Sequence, residues 1–112
     1  MDDKTIKNEI LKKMVDEITK IYGDNLISIV LYGSVARNTA MDDSDIDVAL
    51  FVKKDNRNMY DRALDVVVDL DLEYDQIISL SLIEQNNYTK WKNVLPYYVN
   101  IDKEGIVLWK AA

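Results

Sequence analysis

The chain of 112 residues contains no cysteine and no histidine. The absence of cysteine excludes a disulfide framework and any metal site built on thiolates. The absence of histidine excludes zinc sites and the most common general base of enzymes. Any chemistry must therefore use carboxylates, hydroxyls, lysine, arginine or the backbone.

Basic residues are also scarce, because 14 Lys and Arg are outnumbered by 20 Asp and Glu, for a formal net charge of -6. Nucleic-acid binding relies on Lys and Arg that neutralise phosphates, so this balance argues against a nucleic-acid surface. Binding of a nucleotide together with a metal ion is still compatible with this net charge. The N-terminal segment MDDKTIKNEILKK lacks the apolar run of a signal peptide or membrane span, so we expect a cytoplasmic protein.

Apolar periodicity in the first half of the chain predicts a helix followed by two strands. Apolar residues recur at three- and four-residue steps from Ile6 to Tyr22, which is typical of an amphipathic helix, and Gly23 can end it. The runs LISIVLY (Leu26–Tyr32) and IDVALFV (Ile46–Val52) are short, apolar and rich in β-branched residues. They predict two buried strands.

The second half of the chain predicts a helix from Asn58 to about Asp69 and a third strand from about Leu72 to Ile83. Pro96 can open a last helix that closes at Gly105, and the following IVLW is a terminal strand or an extended tail. We therefore expect a single domain, residues 1–112. Its fold class should be α+β, close to α/β, with a small mixed sheet flanked by helices.

The stretch LYGSVARNTAMDDSDIDV contains a Gly-Ser pair, Gly33 and Ser34, followed after the ten residues Val35–Ser44 by Asp45 and Asp47. Residues two apart in a strand point to one face with Cα atoms about 6.6 Å apart, so the two carboxylates lie side by side. Such a pair suits Mg²⁺, which prefers oxygen ligands and leaves positions for phosphates. The Gly-Ser pair, at the end of the preceding strand, can approach an anion closely.

Other motifs do not fit this stretch. The phosphate loop of P-loop NTPases needs a second Gly followed by Lys and Ser or Thr, which is absent after Gly33. A calcium loop that began at Asp43 would need Gly at its sixth position and Glu at its twelfth, where this chain has Val48 and Lys54. A plain polar turn is a further alternative, because Gly, Ser and Asp are common in turns. The fixed spacing between two apolar strands favours nucleotide binding over that alternative.

The stretch resembles the signature of minimal nucleotidyltransferases in the DNA polymerase beta superfamily. The residues that carry the resemblance are Tyr32-Gly33-Ser34, Ala36-Arg37, Ser44-Asp45-Ile46-Asp47 and the tail NIDKEGIVLW. One position departs from the pattern, since Asn38 stands where the family commonly has Gly. The resemblance extends over nearly the whole chain, although only the central motif is strongly diagnostic.

The resemblance implies a nucleotidyltransferase that moves a nucleoside monophosphate, here AMP from ATP, to a hydroxyl and releases pyrophosphate. It implies that Asp45 and Asp47 are catalytic and bind Mg²⁺. The residues that it implies for nucleotide contacts are Gly33, Ser34, Arg37 and Ser44. An ion pair with a surrounding acid is an equal alternative for Arg37.

The family usually adds a third carboxylate on the next strand, which helps to hold the metal and can deprotonate the attacking hydroxyl. On the predicted third strand, Asp75 is the early acid that shares a face with Ser79. We therefore expect Asp75 to be the third catalytic and metal-binding residue, with Asp71 and Glu73 as alternatives. A solvated acid at a helix–strand junction is an equal interpretation of Asp75. Without a third acid, we expect transfer to be slow or absent.

Short members of this family resemble the MntA-like antitoxins of HEPN/MNT modules, whose toxin is an all-helical HEPN-domain ribonuclease. The resemblance therefore implies a protein adenylyltransferase that acts as an antitoxin by attaching AMP to a tyrosine of its HEPN partner. One alternative is a binding module that neutralises its partner by contact alone. Another is nucleotidyl transfer to a small molecule or an RNA end.

Overall fold

The computed structural model describes residues 3–33 and 45–112. Within these ranges the helices and strands are, in chain order, α1 (Asp3–Tyr22), β1 (Leu26–Tyr32), β2 (Ile46–Val52), α2 (Arg57–Tyr74), β3 (Ile78–Glu84), α3 (Gln85–Trp91), α4 (Pro96–Glu104) and β4 (Ile106–Lys110). A 3-10 turn, Gly23–Asn25, joins α1 to β1. Gly23 has a φ of +53°, in the left-handed region that glycine adopts without strain.

The strands form one sheet in the order β3-β2-β1-β4. Strand β1 pairs antiparallel with β2 and with β4, whereas β2 and β3 are parallel. Parallel neighbours need a long crossover connection, which α2 provides. The mixed sheet with flanking helices confirms the predicted α+β fold.

Helices α1 and α2 pack on one face of the sheet. Their buried residues recur at helical spacing: Ile10, Met14 and Ile18 in α1, and Ala63, Val67 and Leu70 in α2. They meet side chains of the two central strands such as Ile29, Leu31, Val48 and Leu50. Complete burial of one such aliphatic side chain stabilises the fold by roughly 1.5–3 kcal/mol. No helix in the described ranges is both long and apolar enough to cross a membrane.

Helices α3 and α4 cover part of the opposite face. A second buried cluster there joins Phe51 of β2 and Ile83 of β3 to Ile101 of α4. Tyr88 of α3 packs edge-on against Phe51, with ring centroids 5.0 Å apart. This cluster lies toward the C-terminal ends of β2 and β3, so within residues 3–33 and 45–112 the helices cover their N-terminal ends on this face less.

Most predicted elements of the chain are confirmed. Strands β1 and β2 have the predicted bounds, and α1 ends at Tyr22. Pro96 opens α4, Gly105 caps it, and IVLW lies in β4. The short helix α3 was not predicted, because its polar sequence QNNYTKW shows no clear apolar periodicity.

The prediction that a third strand begins near Leu72 is wrong. Helix α2 continues to Tyr74, and β3 begins at Ile78. The alternation of VDLDLEYD resembles a strand, but Val67 and Leu70 are buried three residues apart, as a helix against the sheet requires. Tyr74, four residues after Leu70, also packs against this core, so tertiary packing extends the helix to Tyr74.

The same boundary removes all three candidate third acids from β3. Asp71 and Glu73 lie in α2, and Asp75 caps its C-terminus with a left-handed φ of 52°. Asp visits this conformation more readily than most residues, because its short side chain can hydrogen-bond locally. The prediction that Asp75 shares a strand face with Ser79 is therefore wrong.

The last residue of α1, Tyr22, is only 2% exposed, and its hydroxyl finds no hydrogen-bond partner within the described ranges. Burial raises the pKa of Tyr22 to about 12, and the nearby Tyr60 and Asp55 add to the rise. A buried hydroxyl without a partner costs free energy, because it has lost its hydrogen bonds to water. The buried ring of Tyr22 therefore stabilises the core, whereas its hydroxyl lowers the free energy of unfolding.

We expect Tyr22→Phe to leave the free energy of unfolding at neutral pH unchanged or to raise it by up to about 1 kcal/mol, since only the unsatisfied hydroxyl is removed. The folded-state pKa lies above the ordinary value of 10.0. The native protein should therefore lose stability as the pH rises from 10 toward 12, and the variant should lose less. Urea unfolding of both proteins at neutral pH, and again at a pH between 10 and 12, measures the change in stability and its pH dependence.

Tyr60→Phe is the matched control, because the Tyr60 hydroxyl donates to the carbonyl of Leu80 at 3.1 Å. Removal of this bonded hydroxyl should cost about 1 kcal/mol. Equal losses in the Tyr22 and Tyr60 variants would contradict the difference between a bonded and an unbonded hydroxyl.

Candidate nucleotide and metal site

The end of β1 meets the start of β2. Tyr32, the last residue of β1, pairs with Asp47, and Gly33 follows with a φ of +75°. A Cβ atom added to Gly33 would clash with Oδ2 of Asp47 and lie 3.2 Å from its Cγ. The carboxylate of Asp47 therefore occupies the space that any other residue at position 33 would fill.

The two aspartates of the motif lie at the N-terminal end of β2. Asp45 precedes the strand and is exposed, whereas Asp47 is half-buried within it. Asp47 alternates with Val48, which is buried against α1 and α2, so its side chain belongs to the opposite face. That face is the one whose far half is covered by α3 and α4.

Strand β3 and the residue before it lie next to this pair. Ser79 is the register partner of Asp47, and the backbone N–H of Ile46 donates to the carbonyl of Ile77 at 2.8 Å. Two residues further along β3, the hydroxyl of Ser81 lies 3.2 Å from that of Tyr32. Within residues 3–33 and 45–112, no three acidic side chains come together as a metal site.

The three acids considered for the third position have separate environments. Oε1 of Glu73 lies 3.1 Å from Nζ of Lys13 on α1. Oδ1 of Asp71 accepts a 2.9 Å hydrogen bond from the backbone N–H of Ile78, which ties α2 to the start of β3. Asp75, at the helix cap, is exposed.

Asp71 is also linked electrostatically to the motif. Burial raises the pKa of Asp71 above its usual value, the hydrogen bond from Ile78 opposes the rise, and the negative charge of Asp45 adds to it. The end of α2 and the start of β2 are therefore close enough for their carboxylates to interact. We retain only Asp45 and Asp47 as proposed metal ligands, because Asp75 does not stand beside them on β3.

The donor set at the two strand ends suits one hard divalent cation. Mg²⁺ is commonly held by one or two carboxylates together with substrate phosphates, and Asp45 and Asp47 supply two carboxylates within three residues at the N-terminal end of β2. The space over Gly33 allows an anion and the Asp47 carboxylate to approach the backbone. Ser34, Arg37 and Ser44, which the sequence predicts as nucleotide contacts, lie outside the described residues.

Sequence reasoning missed two exposed apolar residues beside this site, Leu72 and Ile77. It assigned both to a strand, in which one face would be buried. The available signal was the helical spacing of Val68 and Leu72, which places them together on one side of α2, away from buried Val67 and Leu70.

Residues 5–111 match the family model described as "Polymerase beta, Nucleotidyltransferase". The match extends over nearly the whole chain and includes both strand ends of the candidate site. The chain therefore belongs to the DNA polymerase beta family of nucleotidyltransferases.

A protein of Methanocaldococcus jannaschii named "Putative protein adenylyltransferase MJ1305" is 37% identical over 87 residues. The alignment covers 75% of this chain and 58% of that relative, so the chain spans a little over half of the relative's length. The name of this relative describes a transferase that attaches AMP to protein.

Two solved structures share the fold. A toxin–antitoxin structure with AMP-PNP superimposes with a TM-score of 0.58 and 18% identity, covering 88% of this chain and 72% of that one. The structure of a tri-AMPylated HEPN toxin of Shewanella oneidensis in complex with an MNT antitoxin superimposes with a TM-score of 0.55 and 19% identity. This match covers 98% of this chain and 74% of that one. At such identities the similarity shows the fold.

We expect Gly33→Ala to destabilise the protein more than Gly23→Ala does. Both substitutions force an alanine into the left-handed region, at a cost of about 1 kcal/mol, but an added Cβ at Gly23 meets nothing within 4 Å. Only the Cβ at Gly33 collides with Asp47. Urea unfolding of both variants measures the difference.

Asp47→Ala provides the matching test, because it deletes the carboxylate that causes the collision. Combined with Gly33→Ala, it should remove the excess loss of stability, which a double-mutant cycle detects. Equal effects of the two glycine substitutions would show that the contact between Gly33 and Asp47 does not constrain the strand ends.

Proposed function

We propose that this chain is a Mg²⁺-dependent adenylyltransferase that moves AMP from ATP to a hydroxyl of a partner protein. The observation that carries the proposal is the meeting of Gly33 with Asp47, beside Asp45, at two strand ends of a nucleotidyltransferase fold. The name of the M. jannaschii relative supports AMP as the transferred group and a protein as its acceptor. The AMP-PNP of a structural neighbour supports ATP as the donor.

In this proposal, Asp45 and Asp47 hold the metal, and Gly33 lets the backbone approach the triphosphate. Ser34, Arg37 and Ser44 contact the nucleotide. When bound, Mg²⁺ neutralises charge on the phosphates and on the leaving pyrophosphate. The rigid pairing of β1 with β2 fixes the two strand ends, so the acids are positioned before the nucleotide binds.

We further propose that the partner is a HEPN-domain toxin, that the acceptor is one of its tyrosines, and that the chain acts as an antitoxin in the cytoplasm. Support comes from the fold shared with an MNT antitoxin that was solved in complex with an AMPylated HEPN toxin. Residues 1–112 would then work as one nucleotidyltransferase domain.

We expect Asp45→Asn and Asp47→Asn each to lower AMP transfer by at least about 100-fold, because each removes a proposed ligand of Mg²⁺. The assay mixes the chain with the protein encoded by its neighbouring gene, ATP and Mg²⁺, and measures an AMP-sized mass gain on that protein. Removal of Mg²⁺ with a chelator should have the same effect as the substitutions.

Asp65→Asn is the matched control, since Asp65 is an exposed acid in the middle of α2. It should leave the rate of transfer unchanged. A mass gain that is equally fast in the wild type and both motif variants would sink the proposal.

A second candidate function, neutralisation of the partner by contact alone, is favoured by the neighbours of the acid pair on β3. These neighbours are Ser79 and the residue before the strand, Ile77, so β3 supplies no carboxylate there to accept the proton of the acceptor hydroxyl. Protection of the partner by Asp47→Ala separates the two functions. Full protection would support contact, and lost protection with retained binding would support catalysis.

If the chain is a slow transferase, Ser79→Asp should raise the rate of AMP transfer by about tenfold or more, because it puts a third carboxylate directly beside Asp47. Ser81→Asp is the matched control, since it adds the same charge on the same face of β3, two residue pairs further along. The mass assay with saturating ATP measures both rates. A rate that Ser79→Asp leaves unchanged or lowers would show that a β3 carboxylate does not limit transfer.

A further inference from the structure

A concavity with a volume of about 340 Å³ lies between the end of α2 and the start of β3. Its lining residues are Asp71, Leu72, Asp75, Gln76 and Ile77. Two of them are acids, two are aliphatic and none is basic. The surface therefore combines negative charge with apolar area.

The aliphatic residues of this surface are unusually open to solvent. Leu72 is 79% exposed and Ile77 is 61% exposed. A single exposed apolar residue is ordinary, but two that line one concavity form a patch. Such a patch can bury apolar area against a partner.

The concavity adjoins the proposed reaction site. The carbonyl of Ile77 accepts the backbone N–H of Ile46, the residue between the two motif acids. Asp71 interacts electrostatically with Asp45. A protein segment that delivers a hydroxyl to the acid pair would therefore pass next to the concavity.

Contacts with α1 hold this surface in place. Nζ of Lys13 lies 3.1 Å from Oε1 of Glu73, and the hydroxyl of Tyr74 donates to Oε1 of Glu9 at 3.0 Å. The hydrogen bond from Ile78 to Asp71 fixes the connection to β3. A surface that is formed before binding loses little conformational entropy when a partner docks.

We propose that this concavity, which we call the acidic-apolar surface (Asp71, Leu72, Asp75, Gln76 and Ile77), docks the segment of the acceptor protein that flanks its reactive hydroxyl. The segment carries a Lys or Arg next to an aliphatic residue. The carboxylates of Asp71 and Asp75, with Asp45 nearby, attract the basic residue, and Leu72 and Ile77 bury the aliphatic one. This inference rests on the proposed function and adds to it the chemistry of the acceptor.

The test measures direct binding of two fluorescent peptides, without ATP, so that it does not depend on catalysis. One peptide has Arg and Leu beside a central tyrosine, and the other has Glu and Ser in those places. The first should bind at least about tenfold more tightly, and its binding should weaken as salt is added. Equal binding of the two peptides would overturn the inference.

Substitutions then place the binding on this surface. The double variant Leu72→Ser, Ile77→Ser should weaken the Arg-Leu peptide by about tenfold, because it removes the aliphatic patch. Asp75→Asn should weaken it less and reduce its salt dependence, and Asn tolerates the left-handed backbone of Asp75. Val107→Ser is the control, because Val107 is 58% exposed on β4, at the opposite edge of the sheet.

Unchanged peptide binding in the double variant would also overturn the inference. Self-association is measured by sedimentation. If the wild type self-associates and the double variant does not, the surface joins two copies of this chain, and the inference is also overturned. Failure of AMP transfer with intact peptide binding would count against the proposed function and leave the docking surface standing.

Discussion

The contact between the carboxylate of Asp47 and the backbone of Gly33 is the constraint on which the candidate site depends. It exists because β1 and β2 pair antiparallel, with Tyr32 opposite Asp47. The pairing is held in register by burial, since a slip of one residue would move Val48 out of the core and Asp47 into it. Burial of apolar side chains on one face of the sheet thus positions the polar site on the other face.

The helices of the described residues leave this site less covered than the rest of the sheet. Helices α1 and α2 fill one face of the sheet, and α3 and α4 reach the C-terminal half of the other around Phe51. The N-terminal ends of β2 and β3 are left with polar neighbours, Asp47 and Ser79. A phosphate-bearing ligand needs such a place, where charged groups keep contact with water while the strands beneath them stay rigid.

Helix α2 gives the molecule its second feature of functional interest. As the crossover between parallel strands, it must end near the start of β3, and therefore near the start of β2. Asp71, Leu72 and Asp75 are brought beside the motif by this geometry, although they lie far from it in the sequence. Packing of Leu70 and Tyr74 in the core shared with α1 positions that end of the helix, and the exposed ion pair of Lys13 with Glu73 adds little.

The sequence by itself determined the two central strands, the spacing of Gly33 from Asp45 and Asp47, and the family, because these depend on short-range patterns of apolar and acidic residues. It did not determine where α2 ends, since the alternation of VDLDLEYD suits a strand and a helix alike. Only the tertiary structure decided this, through the packing of Leu70 and Tyr74 against the core. It also decided that the β3 residue opposite Asp47 is Ser79 rather than an acid, because strand register depends on contacts between residues far apart in the chain.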